Sequence, residues 1–109
     1  GARVHRSILG LRSRVERGAH VDGVIAFGAE FFPSPEEQER DRARGLPEIG
    51  IGEGAVIRRA ILDRNVRIGA RARIVNEAGA QQADGPNYYI REGIVIIPKN
   101  AVVPEGSVI

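Results

Sequence analysis

The chain has 109 residues, 42% of them apolar, and sixteen basic against fourteen acidic side chains leave a net charge of only +2. That is enough for one folded domain and too apolar for a disordered chain, and so small a net charge does not imply a nucleic-acid partner. With no cysteine there is neither a disulfide framework nor a thiolate metal site, and no apolar run approaches the ~18 residues of a membrane span or opens the chain as a signal peptide.

The apolar residues are almost all Val, Ile, Leu and Ala, with no Met or Trp, two Tyr and three Phe, which predicts a thin, repetitive core. From the N-terminus, aliphatic positions recur every six residues at Leu9, Val15, Val21 and Phe27. A first excursion follows, over about residues 28–48. In it Ser34-Pro35-Glu36-Glu37 combines an N-cap, an N1 proline and a capping-box glutamate, predicting one short helix through a polar stretch to Arg44 that ends at Gly45. Its mixed charges read as a solvated face. The recurrence resumes at Ile51 and Ile57 and, after one five-residue step, runs on through Leu62, Ile68 and Ile74. A second excursion, over about residues 76–93, carries the turn signal Asp84-Gly85-Pro86-Asn87 and then Tyr88 and Tyr89, read as packing on the wall of the repeat. Ile97 and Val103 restore the period.

Small residues keep register within the hexads at Ser13, Ala19, Ala55, Ala72, Ala101 and Ser107, and Gly or Asp often follows the aliphatic position, as at Gly10, Asp22, Gly52, Asp63 and Gly69. Each hexad is then a short strand plus a corner, and three hexads, about eighteen residues, make one coil that stacks on the next. The expected fold class is all-β: a left-handed parallel β-helix of hexapeptide repeats, with one short helical excursion. The hand follows from the hexapeptide signature, against the usual right-handed preference of parallel crossovers. A longer repeat supports the reading, since residues 4–15 align without gaps on residues 57–68, and Gly1-Ala2 on Gly54-Ala55. Gly1 thus falls inside a hexad, so residues are expected upstream of it, where an open end of the repeat would need a cover.

Gly10-Leu-Arg-Ser-Arg, Gly28-Ala-Glu-Phe-Phe, Ile49-Gly-Ile-Gly, the run from Ile57 to Gly69 and the run from Tyr89 to Asn100 together resemble the C-terminal domain of glucose-1-phosphate adenylyltransferase. The match spans essentially the whole chain, and the Gly-Ala-Glu-Phe-Phe excursion is similar to the cyanobacterial and plant type. The resemblance implies residues 1–109 as a regulatory and oligomerisation domain of an enzyme that makes ADP-glucose and pyrophosphate from ATP and glucose 1-phosphate in glycogen or starch synthesis. It places the chemistry, with its Mg²⁺ and ATP, in a nucleotidyltransferase domain that has no counterpart here. No catalytic residue, cofactor or metal is expected in this chain. Implied partners are the chain's own catalytic domain, the other subunits of a homo- or hetero-tetramer, and an anionic sugar-phosphate or phosphoglycerate effector. Implied location is the bacterial cytoplasm, or the plastid if the source is a plant.

Two basic positions carry over from the family's activator site. Lys99, in Pro-Lys-Asn-Ala, matches the activator lysine, Arg64 stands where the photosynthetic enzymes have lysine, and Asp63 matches the acidic neighbour. Arginine at 64 keeps the charge and can bind phosphate bidentately, with different reach. Arg58, Arg59, Arg12 and Arg14 are second-rank candidates that would widen a basic patch.

Other readings compete. Gly50-Ile-Gly-Glu-Gly54 is not followed by a helix pattern and so does not make a phosphate loop. A hexapeptide acyltransferase fragment would need a histidine base; His5 and His20 are the only candidates, and both align with arginines on outward positions with no acidic orienter evident. A carbonic anhydrase of this fold needs three histidines. A purely structural solenoid is the third possibility.

Overall fold

A computed structural model describes residues 1–109. Its elements are strands β1 (Arg3–His5), β2 (Ile8–Leu9) and β3 (His20–Ala26), helix α1 (Pro35–Ala43), then strands β4 (Gly50–Ile51), β5 (Val56–Leu62), β6 (Arg67–Ile68), β7 (Arg73–Ile74), β8 (Gln82–Asp84), β9 (Tyr89–Arg91), β10 (Ile94–Ile97) and β11 (Val102–Val103). One sheet runs β1-β3-β5-β10-β9-β8, with β2 also on β3 and β7 on β5; a second runs β11-β6-β4. Pairing is parallel except for the two hairpin contacts of β9 with β8 and β10. The protein is strand-rich, mostly parallel, with one short helix.

The aliphatic recurrence is what sets the pairing. Val4, Val21, Ile57 and Ile74 occupy successive rungs of one ladder, Leu9, Ala26, Leu62 and Ile97 of a second, and Val15, Ile51, Ile68 and Val103 of a third. The chain visits the ladders in turn. Side chains on one ladder stack at strand spacing, so an aliphatic residue on an inner rung is sealed above and below by another, while Val4 on an end rung is 43% exposed. Val21, Ile57, Ile68, Ile74, Ile97 and Val103 are all essentially inaccessible, and burying each such side chain contributes ~1.5–3 kcal/mol.

One expected position is corrected. Phe27 does not take the inward place: it is 49% exposed, and Ala26, 8% exposed, stands on the rung opposite Leu62. Where no excursion intervenes, the step from the first ladder to the second is five residues (Val4 to Leu9, Val21 to Ala26, Ile57 to Leu62), which also shortens the repeat from the expected eighteen residues to seventeen, as from Val4 to Val21. The cause lies in the corner. There the residue in the left-handed region comes second after the aliphatic one, at Arg6, Gly23 and Arg59, whereas at the third-ladder corner it comes third, at Gly18, Gly54, Arg71 and Gly106. Turning one residue sooner removes one residue from the step.

The small residues fit as expected, with Ala19, Ala55 and Ala72 wholly buried. Gly52 answers to space and not to conformation, because a Cβ there would meet the Ile68 carbonyl oxygen and the Ala70 nitrogen at 2.7 Å.

The two excursions leave this wall differently. In the first, Ser34 Oγ accepts from the Glu37 N–H and Glu37 Oε1 accepts from the Ser34 N–H, both at 3.2 Å, so the expected capping box starts α1. Arg44 caps its end and Gly45 follows at φ 72°. Helix α1 buries no residue, so burial does not hold it. Arginines from the wall do: Arg67 donates to Asp41 Oδ2 (3.0 Å) and the Pro47 carbonyl (2.8 Å), Arg14 to the carbonyls of Ile49 (2.8 Å) and Glu48 (3.1 Å), and Arg12 to those of Ala29 (2.8 Å) and Glu30 (3.0 Å).

The second excursion is a pair of antiparallel turns. Gly85 N–H donates to the Tyr88 carbonyl (2.9 Å) at the predicted turn, and Glu92-Gly93, with φ of 52° and 78°, closes the next. Ile90 and Val95, which the six-residue period did not mark, are buried against each other and Ala60. Tyr88 packs on the core as expected. Tyr89 does not: it is exposed, with the Arg91 guanidinium 5.6 Å from its ring centroid.

Candidate functional site

The two basic positions singled out from the sequence come together at one corner of the wall. Leu62 and Ile97 face each other across neighbouring strands, and each is followed by three corner residues, Asp63-Arg64-Asn65 and Pro98-Lys99-Asn100. Arg64 and Lys99 are thus the second residue of the corners that follow two neighbouring strands. The corners are locked by backbone, with Asp63 N–H on the Ile97 carbonyl and Asn100 N–H on the Arg64 carbonyl, both 3.0 Å.

Asp63 accepts the Arg64 backbone N–H at 2.7 Å, which uses its carboxylate to stiffen the corner. Neither basic residue pairs with it. Arg64 is exposed and forms no ion pair, while Lys99 Nζ lies 2.8 Å from Glu30 Oε1, both side chains about half exposed.

Glu30 is the residue that periodicity did not reveal. It arrives from the first excursion, sixty-nine positions before Lys99 in sequence. Its Oε1 also accepts from Asn65 Nδ2 at 3.0 Å, and its backbone N–H donates to Asn65 Oδ1 at 2.9 Å. Asn65, only 6% exposed, shares its remaining amide hydrogen with Asn100 Oδ1 at 3.2 Å. Asn65 and Asn100 both have positive φ, 60° and 64°, and asparagine adopts that region more readily than other side-chain-bearing residues. Their shared place, third after Leu62 and Ile97, was a readable sign of a corner, though not of a polar cluster.

The Lys99 hydrogen bond, above all, holds the Glu30 carboxyl below the usual glutamate range; burial opposes it, and the Lys99 charge, the Asn65 amide and the Arg64 charge add to it. The corner therefore brings together two cations, one buried amide donor and two carboxylates, Glu30 on Lys99 and Asp63 on the Arg64 backbone N–H. Its Lys99 and Asn65 donors hold one anionic oxygen, that of Glu30.

The second-rank arginines divide. Arg12 and Arg14 each donate through Nε and Nη2 to backbone carbonyls of the first excursion, and Arg14 Nη1 also donates to Glu16 Oε1 at 2.6 Å, so both guanidiniums are held in place against that excursion. Arg58 and Arg59 remain on the outer wall, Arg58 beside Asp22 on the same rung and Arg59 near Gln81 and Gly93.

His5 and His20 lie on the outer wall at the N-terminal end, both exposed. An acidic neighbour exists after all, since Asp22 stands opposite His5 in register. Arg6 takes it bidentately, Nε to Oδ1 at 2.9 Å and Nη2 to Oδ2 at 2.7 Å, and that hydrogen bonding is the main reason the Asp22 carboxyl sits below its usual range. No histidine is oriented by a carboxylate here.

Against known families, residues 1–108 match the model described as GLGC left-handed parallel beta-helix domain.

Proposed function

Because the chain belongs to the GLGC left-handed parallel β-helix domain family, that of the C-terminal domain of glucose-1-phosphate adenylyltransferase, we propose that it serves as the regulatory and assembly domain of such an enzyme. In this reading each visit to the three ladders closes one hexapeptide coil, and the stacked coils form a solenoid whose Arg64–Lys99 corner takes a small phosphorylated anion. ADP-glucose formation from ATP and glucose 1-phosphate belongs to the family's nucleotidyltransferase domain, and these residues do no chemistry. Binding at the corner would act on that domain by favouring the conformation to which the anion binds more tightly.

The observation that supports the reading is that Arg64 and Lys99 hold equivalent positions in two neighbouring corners, each two residues after the paired Leu62 and Ile97, with the corners joined by backbone hydrogen bonds. Two cations held by rigid backbone a strand apart suit a phosphate or a phosphorylated carboxylate. Subunit contacts and the catalytic domain are the expected protein partners of the remaining wall.

Titration of 3-phosphoglycerate into the chain, followed by amide chemical shifts, tests this directly. Shifts clustered at residues 63–65 and 98–100, lost in Lys99→Ala and weakened in Arg64→Ala, are the expected result. No shift at that corner at millimolar ligand would leave assembly as the sole role. In an enzyme carrying this domain, Lys99→Ala should weaken activation and spare unactivated turnover; equal loss of both would sink the assignment.

A further inference from the structure

We propose that Glu30 is a built-in competitor for the anion seat: its carboxylate rests on Lys99 Nζ and Asn65 Nδ2 in the place of the ligand's own anionic oxygen, and a bound dianion displaces it. This rests on the reading of the Arg64–Lys99 corner as an anion site. The contacts are those an external phosphate or carboxylate oxygen would make, an ammonium at 2.8 Å and a buried amide N–H at 3.0 Å, and charge-assisted bonds of this kind do not distinguish a tethered oxygen from a free one.

The carboxylate can leave without dismantling what surrounds it. The Glu30 backbone is fixed independently, its N–H on Asn65 Oδ1 and its carbonyl on Arg12 Nη2. Asn65 keeps its orientation when Glu30 departs, because Oδ1 still accepts the Glu30 N–H and one amide hydrogen still reaches Asn100 Oδ1. What remains is a vacated N–H, the Lys99 ammonium and the unpaired Arg64 guanidinium. Glu30 is also about half exposed, so its side chain has solvent to swing into.

Selectivity follows from the tether. A carboxylate held beside its partners acts at high effective concentration, so a singly charged oxyanion gains little by replacing it. A phosphorylated acid or sugar, with two or more charges, can occupy the Lys99–Asn65 seat and engage Arg64 as well. Glu30 would thus set both the affinity threshold and the charge class of the effector.

Inorganic sulfate, a dianion throughout the neutral range, is the probe. It is titrated at constant ionic strength into the chain and into Glu30→Gln, with the Asn65 side-chain amide and the residue 98–100 backbone amides as reporters. Glu30→Gln keeps size and one acceptor oxygen while removing the charge, and should bind sulfate at least about threefold more tightly, the scale on which an exposed ion pair competes. Adding Lys99→Ala should abolish the gain. Glu30→Ala, which leaves both donors bare, should show the same direction and guards against a folding defect in the first variant. Sulfate binding of equal or lower strength in both Glu30 variants than in the unaltered chain overturns the competitor role and leaves the anion site standing. No shift at this corner in any of them overturns the anion site itself, and the competitor role with it.

Discussion

The two excursions from the same wall are held by different physics. The first, from Ala26 on the second ladder to Ile51 on the third, carries a helix with no buried residue, anchored by guanidinium groups of Arg12, Arg14 and Arg67 on main-chain carbonyls and one carboxylate. The second, from Ile74 to Ile97, continues the sheet and adds Ile90 and Val95 to the core. Directional bonds fix the first at a few points, whereas apolar burial welds the second to the body of the protein. It is the first, the more detachable one, that delivers Glu30 to the corner.

The largest effect should come from the welded side. Ile90→Ala removes a buried side chain and should cost ~2–5 kcal/mol of stability, visible as a lower urea midpoint for the whole chain; a loss confined to residues 82–93 would show that hairpin to be separate from the core. Next is Arg67→Ala, which strips a half-buried carboxylate and a carbonyl of their donor and should cost about 1–3 kcal/mol. Here hydrogen exchange should accelerate over residues 35–49 and leave the ladder residues protected. A uniform acceleration would mean the first excursion is as integral as the second. Smaller still is Ser34→Ala, which deletes the capping box at a cost of ~1 kcal/mol, measurable as fraying of the first turn of α1.

The smallest concerns pH. Glu30 and Asp22 both have folded-state carboxyls pulled below the ordinary range, by Lys99 and Arg6 respectively. Their contribution to stability is fully present above the ordinary carboxyl values of about 4 and fades as pH falls through the lower folded-state values. Unfolding curves of the unaltered chain and of Asp22→Asn and Glu30→Gln should therefore converge on acidification from pH 5 downward. Curves that stay parallel would mean that neither ion pair adds to stability.

Much of this was legible beforehand, for reasons that can be named. A six-residue recurrence of aliphatics maps directly onto ladders, so Val15, Val21, Ile51, Ile57, Leu62, Ile68, Ile74, Ile97 and Val103 fell in place. The capping box around Ser34 is local chemistry, and local chemistry is readable. Phe27 misled because the six-residue count was carried unbroken past Val21, while a left-handed Gly23 had already shifted the frame by one. Ile90 and Val95 escaped because an antiparallel hairpin has no six-residue period. Arg64 and Lys99 were found by resemblance, and their equivalent positions follow from the ladder. Glu30 was not found: nothing in a chain segment of Gly, Ala and Glu announces a partner that only the register of two distant corners brings near. Arg12 and Arg14 were read as charge alone, and a charge count cannot show that their guanidiniums also hold main-chain carbonyls.

Both excursions begin at one ladder and end at the next, replacing a corner and leaving every stacked side chain where it was. To the ladders, a short corner and a long excursion are the same event. Length polymorphism is therefore cheap at the corners, where loop closure grows only slowly with length, and ruinous within a strand, where one added residue turns the inward side chain to solvent. A lineage of this fold can thus acquire new surface by insertion, at Gly28 or after Asn76, without breaking its ladders.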